Sequence, residues 1–385
     1  MSANYLKHKS LCPLPFAGLY VHPNGDVKTC SIATDTLGNI HKDSLKKVLQ
    51  GSKIKQIRKE MLDEKFPINC SNCYNREKHH KTLNFDHVSN RLYHIKKLKN
   101  NPFKLYDSID KFELQQLDLR WRNTCNGACV YCDSEYSSKW AVEVKDTIRM
   151  TDSALDEGME FVLENLHTLK MLYLAGGEPF LIKENLKLLQ TIEKINPNLD
   201  IRINTNLSNL KNPIFKIISK LPNIHWVISA ESMEEKFNYI RYPINWKTFI
   251  SNLKIIQKLP HKISINMAWN ILCAKNIFSF IDYMIKFGIH PNAFILNYVE
   301  QPDMYSVLNL PENQVNEIKE EVTQRLTRLK DPFMLKYAYE EMIAYLNHKL
   351  LNKRNELKEE LTILDKRRNL NSKKVFPKLY EEVLN

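Results

Sequence analysis

Leu114-Gln-Gln-Leu-Asp-Leu119, followed a few residues later by Cys125-Asn-Gly-Ala-Cys129-Val-Tyr-Cys132, is the stretch on which the reading turns. The first part has the alternation of a strand, and the second is a loop placed directly after that strand, where it can wrap a cofactor. Three thiolates separated by gaps of three and two residues suit three irons of a cubane, leaving the fourth iron open to a substrate or cofactor. Soft thiolates also select zinc or copper(I), and a tetrahedral zinc site would draw on a fourth ligand such as Asp133.

Outward from this loop, apolar runs alternate with amphipathic segments. Strands are expected at Leu114–Leu119, Met171–Leu174, Ile201–Asn204, Trp226–Ser229, Ile263–Met267 and Ala293–Val299. Helices are expected between them, at Ala154–Leu166, Lys183–Ile195, Ile214–Lys220, Trp246–Lys258 and Ile277–Lys286. Strands separated by helices make right-handed crossovers of a parallel sheet, and their number suggests a partial (β/α)6 barrel rather than a closed eight-stranded one. Chemistry then belongs at the C-terminal ends of the strands. Before the barrel, Leu11 to Ser31 reads as a hairpin turning at Asn24-Gly25, with Cys12 and Cys30 flanking it. A helical segment from His41 to Glu64 leads to Cys70 and Cys73, so a small cysteine-bracketed module precedes the barrel. From Pro311 the pattern is charged and helical and predicts a solvated tail packed on the barrel. The expected domains are residues 1–105, 106–310 and 311–385.

At 385 residues a sizeable core is available. No apolar run approaches the length of a membrane span, and the N-terminus lacks the pattern of a secretory signal, so the expected location is cytoplasmic with no membrane partner. In a reducing compartment the eight cysteines point to metal or redox roles rather than disulfides. The net charge of +12 reads mainly as a lysine-rich surface. The excess gathers between Asn75 and Lys104, where eight Lys/Arg face two acidic residues, together with His79, His80, His87 and His94. The His79-His80 pair reads as part of a solvated linker, with metal or anion binding as the alternative.

The cysteine loop, with Tyr131 just before its last thiol, resembles the signature of the radical S-adenosylmethionine (radical SAM) superfamily. Leu174-Ala-Gly176-Gly177-Glu178-Pro179 is similar to the element that holds the SAM amino group in that family. Val227-Ile-Ser229-Ala230-Glu231 and the downstream Tyr239-Ile-Arg241 resemble its fourth-strand pattern, although Ala230-Glu231-Ser232 departs from it. Thr205-Asn206 matches the pair found at the end of the third strand. The resemblance implies Cys125, Cys129 and Cys132 as ligands of the catalytic 4Fe-4S cluster. It implies Tyr131, Gly176, Gly177, Glu178, Thr205, Asn206, Ser229, Glu231 and Arg241 around SAM. Cys12, Cys30, Cys70 and Cys73, with Leu19-Tyr-Val-His-Pro-Asn-Gly-Asp26, resemble the SPASM and twitch modules and imply a second, auxiliary 4Fe-4S cluster, with zinc as the rival occupant. That module usually follows the barrel; here it precedes it. Leu364-Asp-Lys-Arg-Arg368 and Val375-Phe-Pro377 look like the end of twitch-containing members.

The family's chemistry is one-electron cleavage of SAM to a 5'-deoxyadenosyl radical that abstracts hydrogen from a substrate, with a flavodoxin- or ferredoxin-type reductant as partner. The substrate expected from the auxiliary module is a peptide or protein side chain. The alternative is a small molecule such as a sugar, nucleotide or aminocyclitol. A non-catalytic metal- or nucleic-acid-binding protein using residues 75–104 is the reading from another class, and intact cysteine and Gly-Gly-Glu elements argue against it. Cys273, just past the fifth strand, is a candidate hydrogen-atom donor or a core thiol; Asn266, Trp269 and Asn270 share its neighbourhood.

Overall fold

The computed structural model describes residues 9–79, 89–100, 108–146, 152–329 and 333–384. His80 and His87 lie outside the described residues. The chain divides into two compact units, one made of residues 1–125, 134–203 and 211–224, the other of residues 126–133, 204–210 and 225–385.

In the first unit the hairpin forms β1 (Gly18–Val21) and β2 (Asp26–Lys28), joined antiparallel with Tyr20 opposite Lys28. The turn between them needs glycine at Gly25: its φ is +89°, and a Cβ there would lie 2.5 Å from the His41 ring. The Asn24 side chain accepts the Asp26 N–H at 2.9 Å, and β3 (Gly38–Asn39) adds to β2. The predicted helical segment from His41 to Glu64 is broken in two. Ser44 caps Leu45–Leu49, and Gly51, extended at ψ 167°, starts Ser52–Leu62. Beyond it come β4 (Gln116–Leu119), β5 (Met171–Leu174) and β6 (Asp200–Thr205), mutually parallel, with β1 running parallel to β4 on its other side.

Period-two alternation gives these strands two different faces. Leu117, Leu119, Leu172, Leu174, Ile201 and Ile203 are all buried on one. On the other, Tyr20, Asp118, Tyr173 and Arg202 stand abreast in register. The crossover helices Asp152–Glu164 and Lys183–Ile195 fall within two residues of their predicted bounds, and the second buries Leu188, Leu189 and Ile192.

The second unit contains β7 (Ile224–Ser229), β8 (Lys262–Trp269) and β9 (Phe294–Tyr298); the last two pair in parallel, as do the first two. Helices Glu234–Ile240, Trp246–Ile256 and Asn276–Lys286 make the crossovers. The C-terminal region is helical, as Glu312–Arg328, Phe333–Leu346, Arg354–Arg368, Ser372–Val375 and Pro377–Glu382. It is less solvated than its charge suggests. Leu357, Leu361 and Leu364, spaced four and three residues apart, bury one face of their helix, and Tyr345 stacks on Tyr298 with ring centroids 4.0 Å apart. The six predicted barrel strands are all present. The architecture is thus α/β, with parallel strands, crossover helices and a helical C-terminal region. Among the described residues no helix is long and apolar enough to cross a membrane.

Candidate active site and auxiliary metal centre

The Gly-Gly-Glu element leaves β5 on two left-handed residues, Gly176 at φ +77° and Gly177 at φ +50°. A Cβ on Gly177 would fall 2.2 Å from the Thr124 carbonyl oxygen, one residue before Cys125, so only glycine permits this approach. The Glu178 N–H donates to that same carbonyl at 2.8 Å. Glu178 is 1% exposed, and its carboxylate accepts the Phe180 N–H at 3.4 Å, capping the turn Pro179–Leu181. Within the same unit, Ser138 clasps Cys125, its hydroxyl oxygen accepting the Cys125 N–H at 3.1 Å and lying 3.2 Å from the Cys125 carbonyl.

In the second unit the loop bearing Cys129 and Cys132 is pinned from two directions. The Ala128 N–H donates to the Tyr242 carbonyl at 2.6 Å and the Val130 N–H to the Ile240 carbonyl at 2.8 Å, which ties the loop to the end of helix Glu234–Ile240. On its other flank Asn206 donates to Asn126 Oδ1 at 3.0 Å, and Asn126 donates to the Ser208 hydroxyl at 2.8 Å. Thr205 accepts the Leu207 N–H at 3.0 Å. Both residues of the Thr-Asn pair therefore shape the strand end, and Asn206 also holds the cysteine loop.

Tyr131, Glu231 and Arg241 converge in the interior of this unit. The Arg241 Nε donates to Glu231 Oε1 at 3.0 Å, and its terminal nitrogen bonds the other carboxylate oxygen. The Tyr131 hydroxyl donates to Glu231 at 3.2 Å, and the guanidinium stands 5.9 Å from the Tyr131 ring centroid. Glu231 is fully buried and Arg241 nearly so. Burial works against the charged guanidinium, but Glu231 together with Tyr131 and Cys129 more than offsets it and raises its pKa, so the arginine stays charged. The Cys129 thiol is pushed up by burial, against which Arg241 and, more weakly, Arg368 work. Ser229 donates to Asn204 at 3.2 Å.

Cys273 is a core thiol here. It is completely buried, and its sulfur accepts the Asn270 N–H at 3.4 Å. Trp269 and Asn270 are equally buried and bond to the backbone of their own loop, while Asn266 accepts a hydrogen bond from Asn297.

The four N-terminal cysteines share one pocket in the first unit, lined by Cys12, Cys30, Cys70, Cys73, Asn90 and Arg91 among others. Burial pushes the Cys12 thiol well up, with Cys70, Cys73 and Cys30 adding to the effect, and Cys30 is pushed up to about 11 by burial and then by Cys73. Among the described residues no three His, Cys, Asp or Glu side chains are grouped as a single-ion site. Four thiolates lining one pocket suit a four-iron cubane, which takes one thiolate at each iron.

Several contributors to these sites were not singled out in the sequence as site residues. Asn126 and Arg368 act at the cysteine loop, and Asn90 and Arg91 at the auxiliary pocket. The alternation Gln116-Leu-Asp118-Leu-Arg120 does signal a polar strand face, and Arg120 stands there bonded to Asp118 at 3.1 Å, its guanidinium 4.9 Å from the Tyr20 ring centroid.

Comparison with known proteins bears on both sites. The radical SAM superfamily matches residues 121–268, and SPASM, an iron–sulfur cluster-binding domain, matches residues 12–74. No curated protein matches the chain. Among solved structures, Streptococcus suis SuiB bound to precursor peptide SuiA aligns with a TM-score of 0.42 at 16% identity, covering 75% of this chain and 68% of SuiB. SuiB bound to S-adenosylmethionine gives 0.42 at 18%, covering 76% and 66%. anSMEcpe with bound AdoMet and Cp18Cys peptide gives 0.40 at 18%, covering 53% and 57%. The chain thus spans about two thirds of SuiB and under three fifths of anSMEcpe. Radical SAM domains use S-adenosylmethionine with a 4Fe-4S cluster, and SPASM domains bind auxiliary iron–sulfur clusters. Both stretches fall on the cysteine-bearing segments described above: the chain carries a radical SAM domain at residues 121–268 and a SPASM iron–sulfur cluster-binding domain at residues 12–74.

Proposed function

We propose that this enzyme cleaves S-adenosylmethionine reductively and abstracts a hydrogen atom from a peptide or protein side chain. The observation that carries the reading is the pocket shared by Cys12, Cys30, Cys70 and Cys73 within the SPASM match, because such modules accompany peptide-maturing members of the superfamily. When bound, the clusters and SAM supply one-electron chemistry and the radical; the chain supplies position and shielding.

Cys125, Cys129 and Cys132 would hold the catalytic cluster, and Cys12, Cys30, Cys70 and Cys73 the auxiliary one. Gly176 and Gly177 let the turn close against Arg120 and Thr124, which sets the Gly-Gly-Glu element beside the start of the cysteine loop. Arg241 and Glu231 neutralise each other, so the interior behind Tyr131 presents no net charge to the radical. Ser229, Thr205 and Asn206 close the strand ends with hydroxyl and amide groups suited to ribose and carboxylate. Electrons would come from a flavodoxin- or ferredoxin-type donor.

The test uses the anaerobically reconstituted full chain with SAM, a reductant and synthetic peptides, chosen from short open reading frames adjacent to its gene and deuterated at side-chain carbons. Deuterium in 5'-deoxyadenosine is expected, together with a peptide lighter by two hydrogens, the second leaving as a proton to solvent and an electron to the auxiliary cluster. If no peptide transfers deuterium while a sugar, nucleotide or aminocyclitol does, the substrate is a small molecule and the peptide reading fails.

A further inference from the structure

Between Lys366 and Lys378 the chain carries six Lys/Arg and no Asp/Glu. The segment is a built turn rather than a loose tail. Helix Arg354–Arg368 ends at Asn369, left-handed at φ +53°, and Asn371 caps Ser372–Val375 by accepting the Lys374 N–H at 2.8 Å. Asp365, the acid just before the basic run, is engaged inside the fold. It accepts the Tyr239 hydroxyl at 2.9 Å and the Ser372 N–H and hydroxyl at 2.7 and 2.6 Å. Lys373 and Lys374 are exposed, and among the described residues neither makes an ion pair. Arg368 turns inward instead, its guanidinium 4.9 Å from the Tyr242 ring centroid.

This turn forms one wall of a surface groove in the second unit. Asn371 and Lys374 line it from one side, and Glu235, Asn238 and Tyr242 from the other. Tyr242 joins the groove to the cysteine loop. Its carbonyl accepts the Ala128 N–H at 2.6 Å, so the groove wall is one hydrogen bond from the residue before Cys129. The Ile240 carbonyl holds Val130, on the other side of that cysteine, at 2.8 Å.

We propose that this groove is the docking site of an acidic one-electron carrier protein that reduces the catalytic cluster. Basic side chains with no local counter-charge draw in an acidic partner and set its orientation. The bond between Tyr242 and Ala128 sets this patch apart from lysines elsewhere on the surface, because an electron delivered at Tyr242 has a short path to a cluster ligand. In the step itself the carrier loses one electron and the cluster gains it; no bond forms or breaks and no proton moves. Glu235, the one carboxylate on the lining, works against an acidic partner. Electron-transfer encounters bury little surface, so a few charges can govern their affinity.

The inference rests on the reading that Cys125, Cys129 and Cys132 hold the cluster that cleaves SAM, and two reductants separate the two. The reconstituted full chain receives SAM with dithionite, which needs no docking, or with a reduced flavodoxin of strongly negative net charge. Binding of the same flavodoxin to the immobilised chain is measured at several salt concentrations. Lys373→Glu combined with Lys374→Glu should weaken binding and slow flavodoxin-driven formation of 5'-deoxyadenosine by about tenfold, with dithionite-driven formation unchanged. Lys42→Glu combined with Lys46→Glu, the same charge change on exposed lysines of the first unit, should leave binding and both rates near wild type. Glu235→Gln should tighten binding, and wild-type affinity should fall as salt rises. Equal losses from the two lysine pairs would mean that net charge alone matters and would overturn the proposal. So would unchanged binding by the Lys373 and Lys374 variant, or wild-type protein that binds neither the flavodoxin nor an acidic ferredoxin. If that variant loses binding of a Glu-rich peptide yet keeps flavodoxin-driven cleavage, the groove is a substrate site and the proposal fails. Dithionite that reduces the wild-type cluster without yielding 5'-deoxyadenosine refutes the SAM-cleaving reading, while the binding titrations still decide the docking.

Discussion

Arg241 shows how an internal charge is kept in a buried site. Its guanidinium is paired with Glu231 through both carboxylate oxygens, faces the Tyr131 ring, and has almost no contact with solvent. Taking both charges out of water costs several kcal/mol per ion, which the pair and its hydrogen bonds offset only while both partners are present. Arg241→Met leaves Glu231 buried and uncompensated, and we expect a loss of about 3–5 kcal/mol, read as a lower urea midpoint for the unit containing residues 225–385. The double variant Arg241→Met with Glu231→Leu should recover much of that loss. If the single and double variants are equally unstable, the pair is not what holds this interior together. The resemblance read from the sequence gave Arg241 to SAM; its geometry gives it first to Glu231. Nothing in the linear pattern distinguishes the two, because Glu231 stands where the family usually has a shorter acid and a glycine.

At the scale of elements, the stretch just beyond Arg241 carries a separable stability signal. Helix Trp246–Ile256 starts at Asn245, whose side chain accepts the N–H groups of Lys247 at 2.9 Å and Thr248 at 3.2 Å. Asn245→Ala removes the acceptor for two first-turn amides and should cost about 1 kcal/mol, with faster hydrogen exchange confined to the start of this helix. Asn245→Asp should retain protection, since a carboxylate accepts the same bonds and suits the positive end of the helix dipole. Uniform acceleration along the helix would mean that tertiary packing, and not the cap, sets its opening. Elements were the part of the fold most legible in the sequence. Met171–Leu174 and Lys183–Ile195 match their predicted bounds, because in each the periodicity ends where the burial ends. The break at Gly51 was not legible, since the Leu, Ile and Met spacing continues across it while the backbone does not. Nor was the pairing of β1 with β4, which joins Gly18 to Gln116 across nearly a hundred residues. Local pattern specifies that a segment is a strand and which face is apolar; the neighbour it chooses depends on contacts far apart in the chain.

For the whole molecule, the arrangement of cysteines argues for two cofactor sites that can be emptied independently. Cys12, Cys30, Cys70 and Cys73 lie together on a pocket of the first unit, and the thiols of that pocket act on one another. Cys129 instead responds to Arg241, Glu231 and Arg368 in the second unit. That much was legible as spacing: two cysteine groups, each beside its own strand or hairpin. The polar surroundings were not, because Asn90 and Arg91 reach the auxiliary pocket by tertiary folding and belong to no motif, while Arg368 sits in a quoted element that says nothing of its closeness to Cys129. Replacing Cys70 and Cys73 by Ala removes two of four ligands from one site and touches none of the residues around the other. Iron should fall from about eight to about four per chain, the value of one four-iron centre, while reductive cleavage of SAM persists in the absence of substrate. Replacing Cys125, Cys129 and Cys132 by Ala should also bring iron to about four, but with cleavage abolished. The two variants would then carry equal iron and opposite activity, a pattern that two coupled or shared sites cannot produce. Loss of all iron from either variant, or loss of SAM cleavage from the Cys70 and Cys73 variant, would show that the centres assemble as one.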